Sequence, residues 1–300
     1  MIQKSIINNN YSKLVIATLD DNGNINSNIY QPLDDWNQGR RNTELIAPIY
    51  GNSLIDILDM EFGLIDIDSE GLLKHKILQL NTYDPHITVM RLLGKIAEAV
   101  IVDECNKNVF ANRKWGMIAR KGRRIHKSLD SFKAIGTGLK STENNYSTKY
   151  NPADTQRDII WINKRNAKNE LLQIGSNANS AISAGLQIKV SHDGFKYIYR
   201  SDIARGKYEV PLVYFDLSND YIKLTNAIYK EDLDIEIGYD IVRGYDISPE
   251  INELLISYYW LIYDLIDGKL NINQLVKNSL LMDVLLKERQ EENGKKVIVI

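Results

Sequence analysis

The chain has a single cysteine, Cys105, in 300 residues. No intrachain disulfide can form, and a four-cysteine zinc site is excluded. The four histidines, His75, His86, His126 and His192, have no metal-ligand spacing and belong to no Cys/His motif. Long apolar runs are also missing. The longest, Leu254 to Ile266, is broken by Ser257 and Asp264 and falls short of the roughly 20 residues that cross a bilayer. The chain does not open on a basic region followed by an apolar stretch. A soluble protein of the reducing cytoplasm, without membrane contact, is expected. Hydrophobic residues make up 44% and charged residues 25%, which excludes a wholly disordered, collagen-like or coiled-coil chain. No internal repeat and no long linker is visible.

A net charge of -2 suggests no special partner until the chain is divided. Between Asn106 and Lys149 eleven cations face only Asp130 and Glu143, so this stretch carries +9 and the remainder -11. That asymmetry is the footprint of a polyanion partner, because each phosphate neutralised by Lys or Arg releases condensed counterions. Arg113, Lys114, Arg120, Lys121, Arg123, Arg124 and Lys127 are the expected nucleic-acid contacts. Trp115, Gly116, Gly122 and His126 lie among them as stacking, flexible and polar groups suited to a strand. A solvated basic loop is the plainer alternative.

The first 80 or so residues read as β-rich, with Lys13 to Leu19 and Ile25 to Tyr30 flanking the turn-forming Asp20-Asp21-Asn22-Gly23-Asn24. Asp56, Asp59, Glu61, Asp66, Asp68 and Glu70 are expected on solvent-facing positions of short elements. Asp84-Pro85 then marks a helix start, an aspartate cap followed by a proline at the first helical position. The helix expected over Ile87 to Cys105 is apolar on most sides, and Glu98 interrupts that surface. A carboxylate there must be paired, protonated or metal-bound. Strands are expected at Asp158 to Ile162, Gly185 to Ser191 and Val210 to Leu217, and a helix at about Asp220 to Tyr229. A second helix should run from Ser248-Pro249 to Gly268, where glycine can end it. An amphipathic helix over about Gln274 to Gln290 and an edge strand at Lys295 to Ile300 complete the reading. Gly136-Thr137-Gly138-Leu139-Lys140 lacks the spacing of a phosphate loop and reads as a flexible or DNA-contacting turn. Cys105 is expected to pack in the core, and Tyr258, Tyr259, Trp260 and Tyr263 to serve as core or oligomer-interface aromatics.

In an extended strand alternate side chains share a face, so Gln187 and Lys189 point one way and Leu186, Ile188 and Val190 the other. A helix glutamate (Glu98), a strand-start aspartate (Asp158 in Arg157-Asp158-Ile159-Ile160-Trp161) and a Gln-x-Lys strand (Gln187, Lys189) follow in order. Over roughly Val89 to Tyr229 this order resembles the PD-(D/E)xK nuclease superfamily. The resemblance implies a restriction-endonuclease-like α/β fold with a mixed central sheet flanked by helices. Glu98, Asp158 and Gln187 would then hold Mg²⁺, or Mn²⁺ in its place, and Lys189 would act on the developing charge. Gln187 stands where the family commonly has an acid, and Asp154 competes with Asp158 as the aspartate. The 29 residues between Asp158 and Gln187 require an inserted element. The implied activity is Mg-dependent hydrolysis of DNA, with RNA left open, in restriction or anti-phage defence. A homodimer joined through the C-terminal helices is expected. The alternative is a non-cleaving nucleic-acid-binding protein with a degenerate nuclease fold. On this reading residues 1–83 form a β-rich accessory region, 84–230 the nuclease-like core and 231–300 a mainly helical region.

Overall fold

A computed structural model of the chain describes residues 15–19, 25–80, 82–165, 170–174 and 182–276. Strands β1 (Val15–Leu19) and β2 (Ile25–Pro32) pair antiparallel, Val15 opposite Pro32 and Leu19 opposite Ile25. The expected turn at 20–24 lies outside the described residues. Helices α1 (Leu33–Asn37) and α2 (Thr43–Met60) follow. The 18 residues of α2 correct the reading of this region as β-rich. Leu45, Ile46, Leu54, Ile55 and Leu58 recur at helical spacing and are all buried. Asn42 caps this helix by accepting the Glu44 amide at 3.0 Å. A small hairpin of β3 (Ile65–Ile67) and β4 (Leu73–His75) comes next.

Helix α3 (Pro85–Lys107) starts as its sequence signal requires, with Asp84 accepting the His86 amide at 2.9 Å. Asn108 ends it and caps α4 (Val109–Ala119), accepting the amides of Phe110 and Ala111. The chain continues through β5 (Phe132–Gly136), α5 (Lys140–Asn145), β6 (Ile159–Asn163) and β7 (Gly185–Ser191). After α6 (Phe195–Ile198) and a π-helical turn to Ile203 come β8 (Leu212–Asp216), α7 (Tyr221–Lys230) and β9 (Ile241–Arg243). Two helices, α8 (Gly244–Ile247) and α9 (Pro249–Ile266), follow. Ser248 caps α9, and Gly268 lies just beyond it at φ +74°, a conformation glycine adopts without strain.

The five long-range strands form one open mixed sheet in the order β5-β6-β7-β8-β9, antiparallel across β5, β6 and β7 and parallel across β7, β8 and β9. Helices cover it. On one face Leu186, Ile188, Val190, Val213 and Phe215 join a core that extends from Ile46 on α2 to Leu275. On the other, Leu212, Tyr214 and Ile241 pack with Ile198, Tyr199, Leu224 and Ile228. Burying one such aliphatic side chain contributes about 1.5–3 kcal/mol. Cys105 is buried, as expected, and burial pushes its thiol well above the ordinary value. The last strand, β9, falls inside the stretch read as helical. Helix α9 turns its apolar side onto α2 and α3 within the chain, so that side is not a surface for a second copy. Beyond Val276 the expected helix and edge strand lie outside the described residues. Among the described residues no helix is long and apolar enough to cross a membrane.

Candidate active site

Strands β6 and β7 are paired only at Ile159 with Leu186 and Ile160 with Gly185. Just before β6, the Asp158 amide donates to the Leu186 carbonyl at 2.8 Å. Its side chain then replaces the missing ladder. Asp158 Oδ2 accepts the Ile188 amide at 2.7 Å and the Gln187 side-chain Nε2 at 2.5 Å. The sheet is covered on both faces, so Gln187 is only 6% exposed, and its Oε1 has no hydrogen-bond partner. Buried polar groups are almost always paired, which makes this amide oxygen exceptional.

Glu98 reaches the same end of the sheet from α3 and is 5% exposed. Two glycines admit it. A Cβ on Gly136 would stand 2.3 Å from Glu98 Oε1, and the Gly138 amide donates to that oxygen at 3.1 Å. The Gly136-Thr137-Gly138 turn is therefore not a flexible or DNA-contacting loop. Thr137 is buried, with its hydroxyl donating to the Arg157 carbonyl at 2.7 Å. Burial, joined by the nearby charge of Asp158, pushes the Glu98 carboxyl up to about 8 against the pull of the Gly138 amide. Burial likewise raises Asp158 to about 6, opposed by the Ile188 amide and the Lys189 charge. Two carboxyls thus sit where ionisation of both is unfavourable without a cation.

Lys189 shares this electrostatic neighbourhood, but its ammonium pairs with Asp202 Oδ2 at 3.3 Å rather than with Asp158. Burial opposes its charge, yet Tyr208 and Asp202 outweigh that and hold the ammonium above its ordinary value. Asp202, buried on the π-helical turn, also binds Lys207 through Oδ1 at 2.8 Å. The reading of the sequence missed Asp202, Lys207 and Tyr208. The one available signal was Gly206, at φ +58°, which separates Asp202 from Lys207 and Tyr208. Of the two candidate aspartates, Asp154 is engaged by the Arg157 guanidinium at 3.1 and 3.2 Å and by the amides of Gln156 and Arg157. Asp158 is the one that meets Gln187.

The basic segment divides. Arg113 is held bidentately by Asp130 at 2.6 and 2.5 Å, Lys114 donates to the Ile247 carbonyl, and Lys121 pairs with Asp240 at 2.7 Å. These three are tied into the fold and are not free cations. Trp115 is buried and donates to Glu104 at 2.8 Å, so it is no stacking platform. Arg123, Arg124 and Lys127 are exposed, while Arg120 is half-buried. Lys121, Lys207 and Tyr208 line a cavity of about 250 Å³ next to Asp202.

His86 and His192, far apart in sequence, meet at Tyr259. His192 stacks on the tyrosine ring at 4.7 Å, and His86 Nδ1 hydrogen-bonds its hydroxyl at 3.1 Å. They act as packing groups. Among the described residues no three of His, Cys, Asp or Glu gather in a metal-holding group. Glu98, Asp158 and Gln187 could instead offer two carboxylates and an amide oxygen, a hard-oxygen set that suits Mg²⁺ or Mn²⁺. The orphaned Gln187 Oε1 fits that role. No family model, curated protein or solved structure matches this chain.

Proposed function

We propose that this chain is a Mg²⁺- or Mn²⁺-dependent endonuclease of the PD-(D/E)xK type, hydrolysing DNA in a restriction or anti-phage setting in the cytoplasm. One observation carries the reading. Gln187 donates its Nε2 to Asp158 and leaves its buried Oε1 without a hydrogen-bond partner, at the sheet end where burial and the Asp158 charge push the Glu98 carboxyl up to about 8. Glu98, Asp158 and Gln187 would hold the cation, which when bound polarises the scissile phosphate and lowers the pKa of a coordinated water.

The chain's own residues do the rest. Asp158 fixes the Gln187 amide, and Gly138 orients the Glu98 carboxyl. Lys189, kept charged by Asp202 and Tyr208, stabilises negative charge developing on the phosphate. Arg123, Arg124 and Lys127 attract the nucleic-acid backbone. Cutting both strands with one centre per chain would bring two copies together on the duplex.

The test incubates wild type, Asp158→Asn and Lys189→Met with plasmid and with RNA in Mg²⁺, Mn²⁺ or EDTA. Wild type should cut plasmid only with metal, and each variant should lose about 100- to 1000-fold. Lys189→Met leaves Asp202 paired with Lys207, so it should still fold. A second reading, a non-cleaving nucleic-acid-binding protein, is favoured by the Lys189–Asp202 ion pair, which gives the ammonium a structural partner other than Asp158. Binding without metal-dependent cleavage would establish that reading instead.

A further inference from the structure

At the opposite end of β8 from Gln187, the loop after α1 approaches the loop after β8. Gly39, at φ +85°, permits the approach, since a Cβ there would stand 3.0 Å from the Leu217 carbonyl oxygen. Between these loops and α9 lies a cavity of about 390 Å³, within the roughly 300–1,000 Å³ range of small-molecule sites. Asp216 and Arg243, the last residues of β8 and β9, both line it. In open α/β sheets ligands bind outside the carboxyl ends of parallel strands.

The polar lining is incompletely satisfied. Arg41 Nε, Arg243 Nε and Asn252 Oδ1 are buried without a hydrogen-bond partner, and all three residues line this one cavity. Its carboxylates are already engaged. Glu253 Oε2 accepts Arg41 Nη2 at 2.6 Å, and both oxygens of Asp216 accept Arg243 Nη2, at 3.1 and 3.0 Å. Arg243 therefore spans both Asp216 oxygens with a single nitrogen, and its neighbouring Nε–H is left without an acceptor. A guanidinium N–H without an acceptor can donate a charge-assisted hydrogen bond to a planar or tetrahedral oxyanion. Arg41 is 6% exposed, and its guanidinium lies 3.8 Å from the centre of the Trp36 ring. Its Nη1 donates to the carbonyls of Trp36 at 2.6 Å and Arg40 at 2.9 Å, and these partners together with Glu253 on α9 make this a built pocket rather than a surface charge.

We propose that this cavity binds a small ligand carrying a phosphate or carboxylate group beside a hydrogen-bond donor. The oxyanion meets Arg243 and Arg41, and the donor meets Asn252. The site does not depend on the nuclease reading, since it lies at the other end of the sheet and shares no residue with the Glu98–Asp158–Gln187 group.

The experiment titrates the full chain with inorganic phosphate, acetate and AMP against sodium chloride at matched ionic strength. It follows Trp fluorescence, to which Trp36 contributes from the pocket, together with melting temperature. Wild type should saturate with phosphate and AMP, or with acetate if the site takes carboxylates, while chloride has no saturating effect. Arg243→Lys keeps a cation for Asp216 but loses the unpartnered Nε–H, and should weaken binding at least tenfold. Asn252→Asp places a carboxylate against the anion and should abolish binding. The proposal is overturned if no oxyanion acts beyond chloride. It is equally overturned if Arg243→Lys binds as wild type, because phosphate would then be reporting on the basic segment.

Discussion

Replacing Glu98 by Gln tests the heart of the candidate site without substrate. The Glu98 carboxyl is pushed from 4.5 to about 8. The unfolded chain would lose this proton near its ordinary value and the folded chain only near 8. Between those values the folded state binds more protons, and stability falls as pH rises. Protonation's contribution is complete below about pH 4.5 and gone above about 8. At about 1.4 kcal/mol per pH unit, the loss approaches 5 kcal/mol. Glutamine has no proton to release, and its carbonyl can still accept the Gly138 amide. In urea unfolding with EDTA, Glu98→Gln should gain about 3–5 kcal/mol on wild type between pH 5 and pH 8.5. Asp158, raised to about 6, adds a smaller fall of the same sign to both proteins. At pH 8.5 Mg²⁺ should stabilise wild type more than the variant. Parallel stability curves for the two proteins would refute the burial argument, and an equal response to Mg²⁺ would remove Glu98 from the ligand set.

Gln187→Glu puts a carboxylate against Asp158. It should destabilise the protein in EDTA and lower the Mg²⁺ concentration for half-maximal stabilisation by about tenfold, since ligand charge tunes affinity for hard cations. An unchanged midpoint would mean Gln187 is not a ligand. Asn112→Ala removes the acceptor of the buried Trp161 indole at 2.8 Å and the donor to the Leu129 and Phe132 carbonyls. The urea midpoint should fall by an amount equivalent to about 1–3 kcal/mol, with the slope unchanged. Arg113→Gln should reduce stability, because Asp130 loses its partner, while leaving the salt dependence of DNA binding alone. Arg124→Gln with Lys127→Gln should do the reverse, lowering the slope of log K against log salt by about 2, as expected for two lost phosphate contacts. Gel shifts across NaCl concentrations separate the two outcomes.

What could be read in the sequence followed from local chemistry. Asp84-Pro85 and Ser248-Pro249 start helices because cap and proline satisfy orphan amides within one turn. The runs that became β6, β7 and β8 are apolar because both sheet faces are covered. Helix α2 was harder to see, since Gly51-Asn52-Ser53 interrupts its apolar stripe with residues typical of turns. Long-range partners left no local mark. Nothing near Lys189 announces Asp202, nothing near Arg113 announces Asp130, and the burial of Trp115 against Glu104 depends on how α3 meets α4. The clearance at Gly136 that admits Glu98 comes from a strand 38 residues further on, so the glycine-rich turn looked like a loop instead of a seat for a carboxyl.

The early parting of β6 from β7 bears on how position 158 can be probed. Its carboxylate completes the strand edge as well as acting on the charge of Glu98, so truncation to alanine would leave the Ile188 amide and the Gln187 side-chain amide without their acceptor at once. Lost cleavage in such a protein would be ambiguous between chemistry and architecture. Asparagine keeps an oxygen for the Ile188 amide and removes only the charge, and for that reason it is the substitution whose phenotype can be interpreted.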